Sequence, residues 1–217
     1  MSTFSRIISF GASITNGTEL PNPNNTWASI IAQRLNVEYT CLAKSASSNA
    51  GITREMLSYQ EYKQDLVLVM WTSSTRYEFR NADSWENVNP WTVRTGAQTT
   101  FAKQWYMGPG KYEYTEVATT LRDLLLAVQF LESKKLPYLF TFDNNELRNS
   151  GVWEQNDPYI SSMREMIPWD NIIWFDDTGF IDWSKQNKHT FINTHPSESA
   201  HQAAADYILS NRSFNLL

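Results

Sequence analysis

Two apolar patterns alternate along the chain. Short continuous runs at Arg6–Gly11, 37–42, Asp65–Trp71, 136–142 and 171–175 have the length and β-branched or aromatic content of strands buried on both faces. Between them, apolar residues return at helical spacing. Residues 26–35 form one such segment, a second runs to about Tyr59, and a third at 114–135 carries the stripe Leu121, Leu124, Leu125, Val128 and Leu131. Residues 144–166 hold a loop and one helix, and a final helix covers Glu198–Asn211, with Ser197 placed to cap it. Strand and helix in strict alternation predict a right-handed, mostly parallel sheet covered on both faces: a three-layer α/β/α sandwich with five strands. Between 77 and 112 the periodicity disappears into an aromatic segment containing Trp85, Trp91, Trp105 and Tyr106. It is expected to be an insert of a single domain spanning 1–217. It closes over the carboxyl ends of the strands, either as an aromatic mini-core or as a ligand-stacking surface.

Composition narrows the partners. The 217 residues are 41% hydrophobic and carry a formal net charge of −5. No Lys/Arg run or basic helix accompanies that charge, so the footprint of phosphate-backbone binding is missing and nucleic acid is not an expected partner. No stretch has the length of a membrane span, and the first residues lack the basic and apolar regions of a secretory signal. A cytoplasmic or virion-associated location is the expectation. Cys41 is the single cysteine; it excludes an internal disulfide and a cysteine zinc site, and its apolar run implies a buried thiol. His189, His195 and His201 have a spacing that matches neither a one-turn helical pair nor a zinc motif, so no metal and no cofactor is expected. His189 is expected at the surface and His201 as a buried, hydrogen-bonded helix residue.

The first strand breaks straight into a small-residue turn, Gly11-Ala12-Ser13-Ile14-Thr15-Asn16-Gly17. Loops at the carboxyl ends of strands are where open α/β sheets place their chemistry, so Ser13 stands where a nucleophile would, although a serine there can equally cap a helix. Near the other end, His195-Pro196-Ser197 opens the last helix. In this arrangement the chain resembles the SGNH or GDSL-type hydrolases over nearly its whole length, through four short motifs. Phe10-Gly11-Ala12-Ser13 is similar to the first block, with Ala12 where the family has aspartate. Leu42 to Asn49 is similar to the second, with Ala46 at about the place of a glycine whose N–H enters the oxyanion hole. Trp71 to Arg76 takes the position of the third, with Ser73 or Thr72 in place of the oxyanion asparagine. His195-Pro196-Ser197 resembles the last, with Ile192 or Asn193 where the family's aspartate precedes the histidine.

The resemblance implies a flavodoxin-like sheet and acyl-ester chemistry on Ser13, with His195 as base. Acyl transfer needs an oxygen nucleophile within hydrogen-bond reach of a base. It also needs a group that fixes the histidine tautomer, whose loss costs on the order of 10⁴ in rate. A backbone carbonyl, Asp177, Asp182 or Glu198 is a candidate substitute for the missing aspartate. Ser13 N–H, Ala46 N–H and the Ser73 hydroxyl are the expected oxyanion donors. Thr72, Arg76, Asn49 and Trp71, at the exits of the second and third strands, are expected to face substrate. Arg76 and Glu78 bind a carboxylate or sugar, or pair with each other. The leading expectation is a serine-dependent esterase or carbohydrate O-deacylase acting on a small-molecule or glycan ester. An acyltransferase using the same site, and a catalytically impaired glycan or small-molecule binding module, are the alternatives. A phosphate or nucleotide binder built on the Gly11–Gly17 turn has only Arg76 to recommend it, since no lysine follows the second glycine.

Overall fold

A computed structural model describes residues 4–80, 82–90, 99–108, 110 and 112–211. Its strands are β1 (Arg6–Gly11), β2 (Glu38–Cys41), β3 (Asp65–Trp71), β4 (Tyr77–Arg80), β5 (Trp85–Val88), β6 (Tyr138–Phe142), β7 (Ile172–Ile173), β8 (Phe191–Ile192) and β9 (His195–Pro196). Five of them form one sheet in the order β2-β1-β3-β6-β7, and every neighbouring pair is parallel. The three-layer expectation holds.

Strand alternation sorts the core into two halves. Ile8, Phe10, Val67, Val69, Trp71, Phe140 and Phe142 face one side, where they meet the helices Asn49–Ser58, Glu113–Ser133 and Pro158–Met166. Ile7, Leu66, Leu68, Met70, Leu139 and Ile173 face the other, against the helices Trp27–Leu35, Phe180–Gln186 and Glu198–Asn211. Central strands buried on both faces must be apolar at every position, which is why β3 reads as an unbroken run. The charge that opens it, Asp65, is fully buried but paired with Arg6 on β1, Nε to Oδ1 at 2.8 Å and Nη2 to Oδ2 at 3.0 Å. A buried carboxylate held by both prongs of a guanidinium is tolerated where an unpaired one would not be.

Two details depart from the sequence reading. Cys41 is exposed, because β2 is the edge of the sheet; its thiol donates to the Thr15 carbonyl at 3.6 Å. The aperiodic segment contains an antiparallel hairpin, β4 with β5, and a helix Thr99–Met107. Tyr77 packs edge-on against Trp105 and Tyr106, and the Tyr106 hydroxyl donates to the Thr75 carbonyl, with the Val88 carbonyl 3.2 Å away. Those rings form a small core of their own. Trp85 stays 45% exposed beneath the Arg54 guanidinium, and Trp91 lies outside the described residues.

Candidate active site

β1 delivers Ser13. The strand ends at Gly11, where a Cβ would come within 2.5 Å of Thr15 Oγ1 and 3.1 Å of the Met70 carbonyl, so only glycine lets the chain turn this tightly. A single helical turn, Ser13–Asn16, follows and is closed by Gly17 at φ +79°. Asn16 Nδ2 donates to the Ala43 carbonyl at 2.9 Å, and Lys44 N–H donates to the Gly11 carbonyl at 3.1 Å. These bonds draw the loop after β2, with Ala46 in it, alongside the Ser13 turn.

The chain's other end supplies His195. β8 and β9 form a minimal hairpin in which Ile192 pairs with His195, and Asn193 makes the turn at φ +51°. Neither residue offers a carboxylate. His195 Nε2 lies 2.7 Å from Ser13 Oγ. Its Nδ1 lies 2.7 Å from Oε2 of Glu19, which also accepts the Thr194 N–H at 3.3 Å. An ionised carboxylate only accepts, so Nδ1 carries the ring proton and Nε2 is left with the lone pair that faces the Ser13 hydroxyl. The hydrogen bond from His195 holds the Glu19 carboxyl below the usual range, against the opposing effect of partial desolvation.

Glu19 was missed in the sequence. It is the only acidic side chain before Glu38, a signal that searching near the histidine could not find. It sits in the left-handed region at φ +72°, which costs a side-chain-bearing residue on the order of 1–2 kcal/mol and is offset by its bonds to His195 and Thr194. Leu20 anchors it from the other side by burial.

The three substitutes considered for the missing aspartate are engaged elsewhere. Asp177 pairs with Arg148 at 2.8 Å, and Asp182 accepts from Asn145 Nδ2 at 2.8 Å. Glu198 accepts the Asn22 N–H at 3.1 Å and Asn25 Nδ2 at 3.2 Å. In that position Glu198 pins the loop that carries Glu19 to the start of the helix that follows His195.

The loop after β3 is arranged differently from the expectation. Ser73 Oγ lies 2.7 Å from Glu146 Oε2, and the same carboxylate oxygen accepts Ser74 N–H at 2.8 Å and Ser74 Oγ at 3.0 Å. A hydroxyl has one proton, so Ser73 has none left for an oxyanion. Asn49 and Thr72 are buried and hold each other: Thr72 N–H donates to Asn49 Oδ1 at 2.9 Å, and Asn49 Nδ2 donates back to the Thr72 carbonyl at 3.1 Å. The Thr72 hydroxyl donates to Asp143 Oδ2 at 2.8 Å. Burial raises the Asp143 carboxyl to about 6, with Arg76 working against it. Trp71 is fully buried, edge-on to Phe140. Asn49, Thr72 and Trp71 are all buried, and Asn49 and Thr72 brace the loop through these bonds. Arg76 is half-buried with Nη1 on the Ser47 carbonyl at 3.4 Å, and Glu78 is held by Arg54 through Nε and Nη2, both at 3.1 Å. Ala46 stands at φ +63°, in the left-handed region that favours glycine.

The histidines are dispersed. His189 is partly covered by Trp183, with ring centroids 5.4 Å apart. His201 is buried and its Nδ1 accepts the Trp27 N–H at 3.1 Å. Burial lowers His201 to about 3 and keeps it neutral.

The whole architecture is shared with solved structures of low sequence identity. The psychrotrophic esterase EstA from Pseudoalteromonas sp. aligns over 95% of both chains at 11% identity and a TM-score of 0.56. The acetyl xylan esterase AlAXEase aligns over 96% of this chain and 100% of its own at 13% identity and a TM-score of 0.52. A carbohydrate esterase family 2 enzyme of Corynascus thermopiles matches 97% of this chain and 66% of its own at 12% identity, with a TM-score of 0.56. The chain has an SGNH-type fold. No protein-family model matches it, and no curated protein is similar enough in sequence to match. Within the SGNH-type fold of this chain, the carboxylate on the histidine comes from the loop that follows the serine.

Proposed function

We propose that the protein is a serine-dependent esterase or carbohydrate O-deacylase acting on a small-molecule or glycan ester. The observation that carries this reading is the unbroken chain Ser13 Oγ, His195 Nε2, His195 Nδ1, Glu19 Oε2, with both contacts at 2.7 Å. Nothing about helix capping or core packing requires a serine, an imidazole and a carboxylate from opposite ends of the chain to align in this way. In the proposed cycle Ser13 Oγ attacks the ester carbonyl carbon while its proton passes to His195 Nε2. Glu19 holds the ring and stabilises the imidazolium. The tetrahedral oxyanion takes hydrogen bonds from the Ser13 and Ala46 backbone N–H groups. Collapse expels the alcohol, which leaves with the proton from His195. Water then attacks the acyl-serine as His195 takes its proton, and His195 returns that proton to Ser13 Oγ as the carboxylic acid departs. An alcohol in place of that water makes the same site an acyltransferase.

A second reading has its own observation. With the Ser73 proton committed to Glu146, the oxyanion side is short of one donor, which favours a binding module that has kept the triad geometry. A fluorophosphonate probe on the intact chain, read by mass spectrometry, separates the two. Stoichiometric adduct on Ser13, abolished in Ser13→Ala and His195→Ala, is the expected result. An unlabelled Ser13 in correctly folded protein overturns the hydrolase reading and leaves the binding module.

A further inference from the structure

On the β6 and β7 side of the sheet, Leu147, Arg148, Trp153, Arg164, Trp169 and Trp174 line a cleft of about 390 Å³. That is the size of a site for a small molecule, in the range of roughly 300 to 1,000 Å³. The three indoles are held in fixed orientations before any ligand arrives. Trp153 Nε1 donates to the Leu147 carbonyl at 2.7 Å, and Trp169 Nε1 donates to the Arg164 carbonyl at 2.9 Å. Trp174 stacks on Phe142 with centroids 4.6 Å apart. Aromatic walls already held in place bind at lower entropic cost.

The polar lining is cationic. The Arg164 guanidinium lies 5.0 Å from the Trp153 ring centre and forms no ion pair among the described residues. Arg148 lies 5.5 Å from the Trp174 ring centre, and its one ion pair among the described residues is with Asp177, whose side chain is 82% exposed. Two guanidinium groups therefore line a tryptophan-walled cleft in a chain of net charge −5. Planar guanidinium forks recognise carboxylates, and the partly buried indoles, Trp169 above all, offer apolar surface to the C–H groups of a pyranose ring.

We infer that this cleft is a binding site for a carboxylated pyranose, the hexuronic-acid class of sugar. The site stands whether or not Ser13 is a nucleophile, because it shares no lining residue with the Ser13, His195 and Glu19 constellation.

The test is titration of the ¹⁵N-labelled chain with glucuronate, following the indole N–H signals, with glucose and acetate as the ring without the charge and the charge without the ring. Saturable shifts of Trp153 and Trp169 with glucuronate are expected, with at least tenfold weaker binding of glucose and of acetate. Arg164→Gln keeps the backbone carbonyl that Trp169 uses and should weaken glucuronate at least tenfold while the other indole signals stay in place. Absence of a saturable shift, glucose binding as tightly as glucuronate, or unchanged affinity in Arg164→Gln would each overturn the assignment.

Discussion

On one flank of Ser13 stands a complete hydrogen-bonded chain, His195 backed by Glu19; on the other stands a loop whose hydroxyl proton has been given to Glu146. The first flank is assembled from short side chains on loops that are tied to one another. Its geometry survives replacement of the expected aspartate because a carboxylate can reach Nδ1 from any segment that passes beside the ring. The second flank needs a side-chain donor of a particular length aimed at one point, and the Ser73 side chain is short and already bonded to Glu146. A base can be supported from several directions, whereas an oxyanion donor has only one place to be.

The largest break in this comparison is on the first flank. His195→Ala should lower the rate of Ser13 acylation by roughly 10⁴-fold or more, measured as the second-order rate of fluorophosphonate labelling; a loss below tenfold would mean His195 is no base. Next is Glu19→Gln, which keeps the size of the side chain but lets it donate toward Nδ1, favouring the wrong tautomer. A fall of roughly 10³ to 10⁴ is expected, with the protein still folded by circular dichroism. Glu198→Ala should be milder, roughly ten- to a hundredfold. It frees Asn22 and Asn25 and so loosens the loop that carries Glu19, and the loss should appear in kcat and not in KM. Ser73→Ala sharpens the other side. A working oxyanion donor would cost about 10² to 10³ on removal, whereas a hydroxyl committed to Glu146 should cost less than about threefold by the same measure.

The smallest expected effect is on stability. Glu19 is held below the usual carboxylate value in the fold, so its contribution is present above the unfolded pKa of about 4.5 and disappears as pH falls through the lowered one. The gap in Tm between the natural protein and Glu19→Gln should therefore be constant near neutrality and close on acidification below about 4.5. A gap that widens in acid would show that the carboxylate is not paired in the fold.

The sheet was legible because each central strand is buried on both faces: β3 had to be apolar at every position, and the runs at β1 and β6 follow the same necessity. Ser13 and His195 were legible as turn residues at strand and helix junctions, and the structure brings them together. Three things were not. Glu19 lies far from His195 in sequence and belongs to a Pro/Asn loop with no pattern of its own, so only the fold could show that its strained backbone is held against the imidazole. Asn49, Thr72 and Trp71 carry polar or aromatic groups at strand exits, where a ligand-facing role and a bracing role use the same residue types. Burial decides between them, and burial is a property of the packed chain. The tryptophan and arginine cleft draws on residues scattered from 147 to 174, whose spacing says nothing until the ends of β6 and β7 set them side by side. The periodicity of the chain determined the layers, because each buried face must be apolar whatever lies beyond it. Which carboxylate serves His195 was decided by tertiary structure alone, since hydrogen bonds between loops depend on distance in space and leave no period in the sequence.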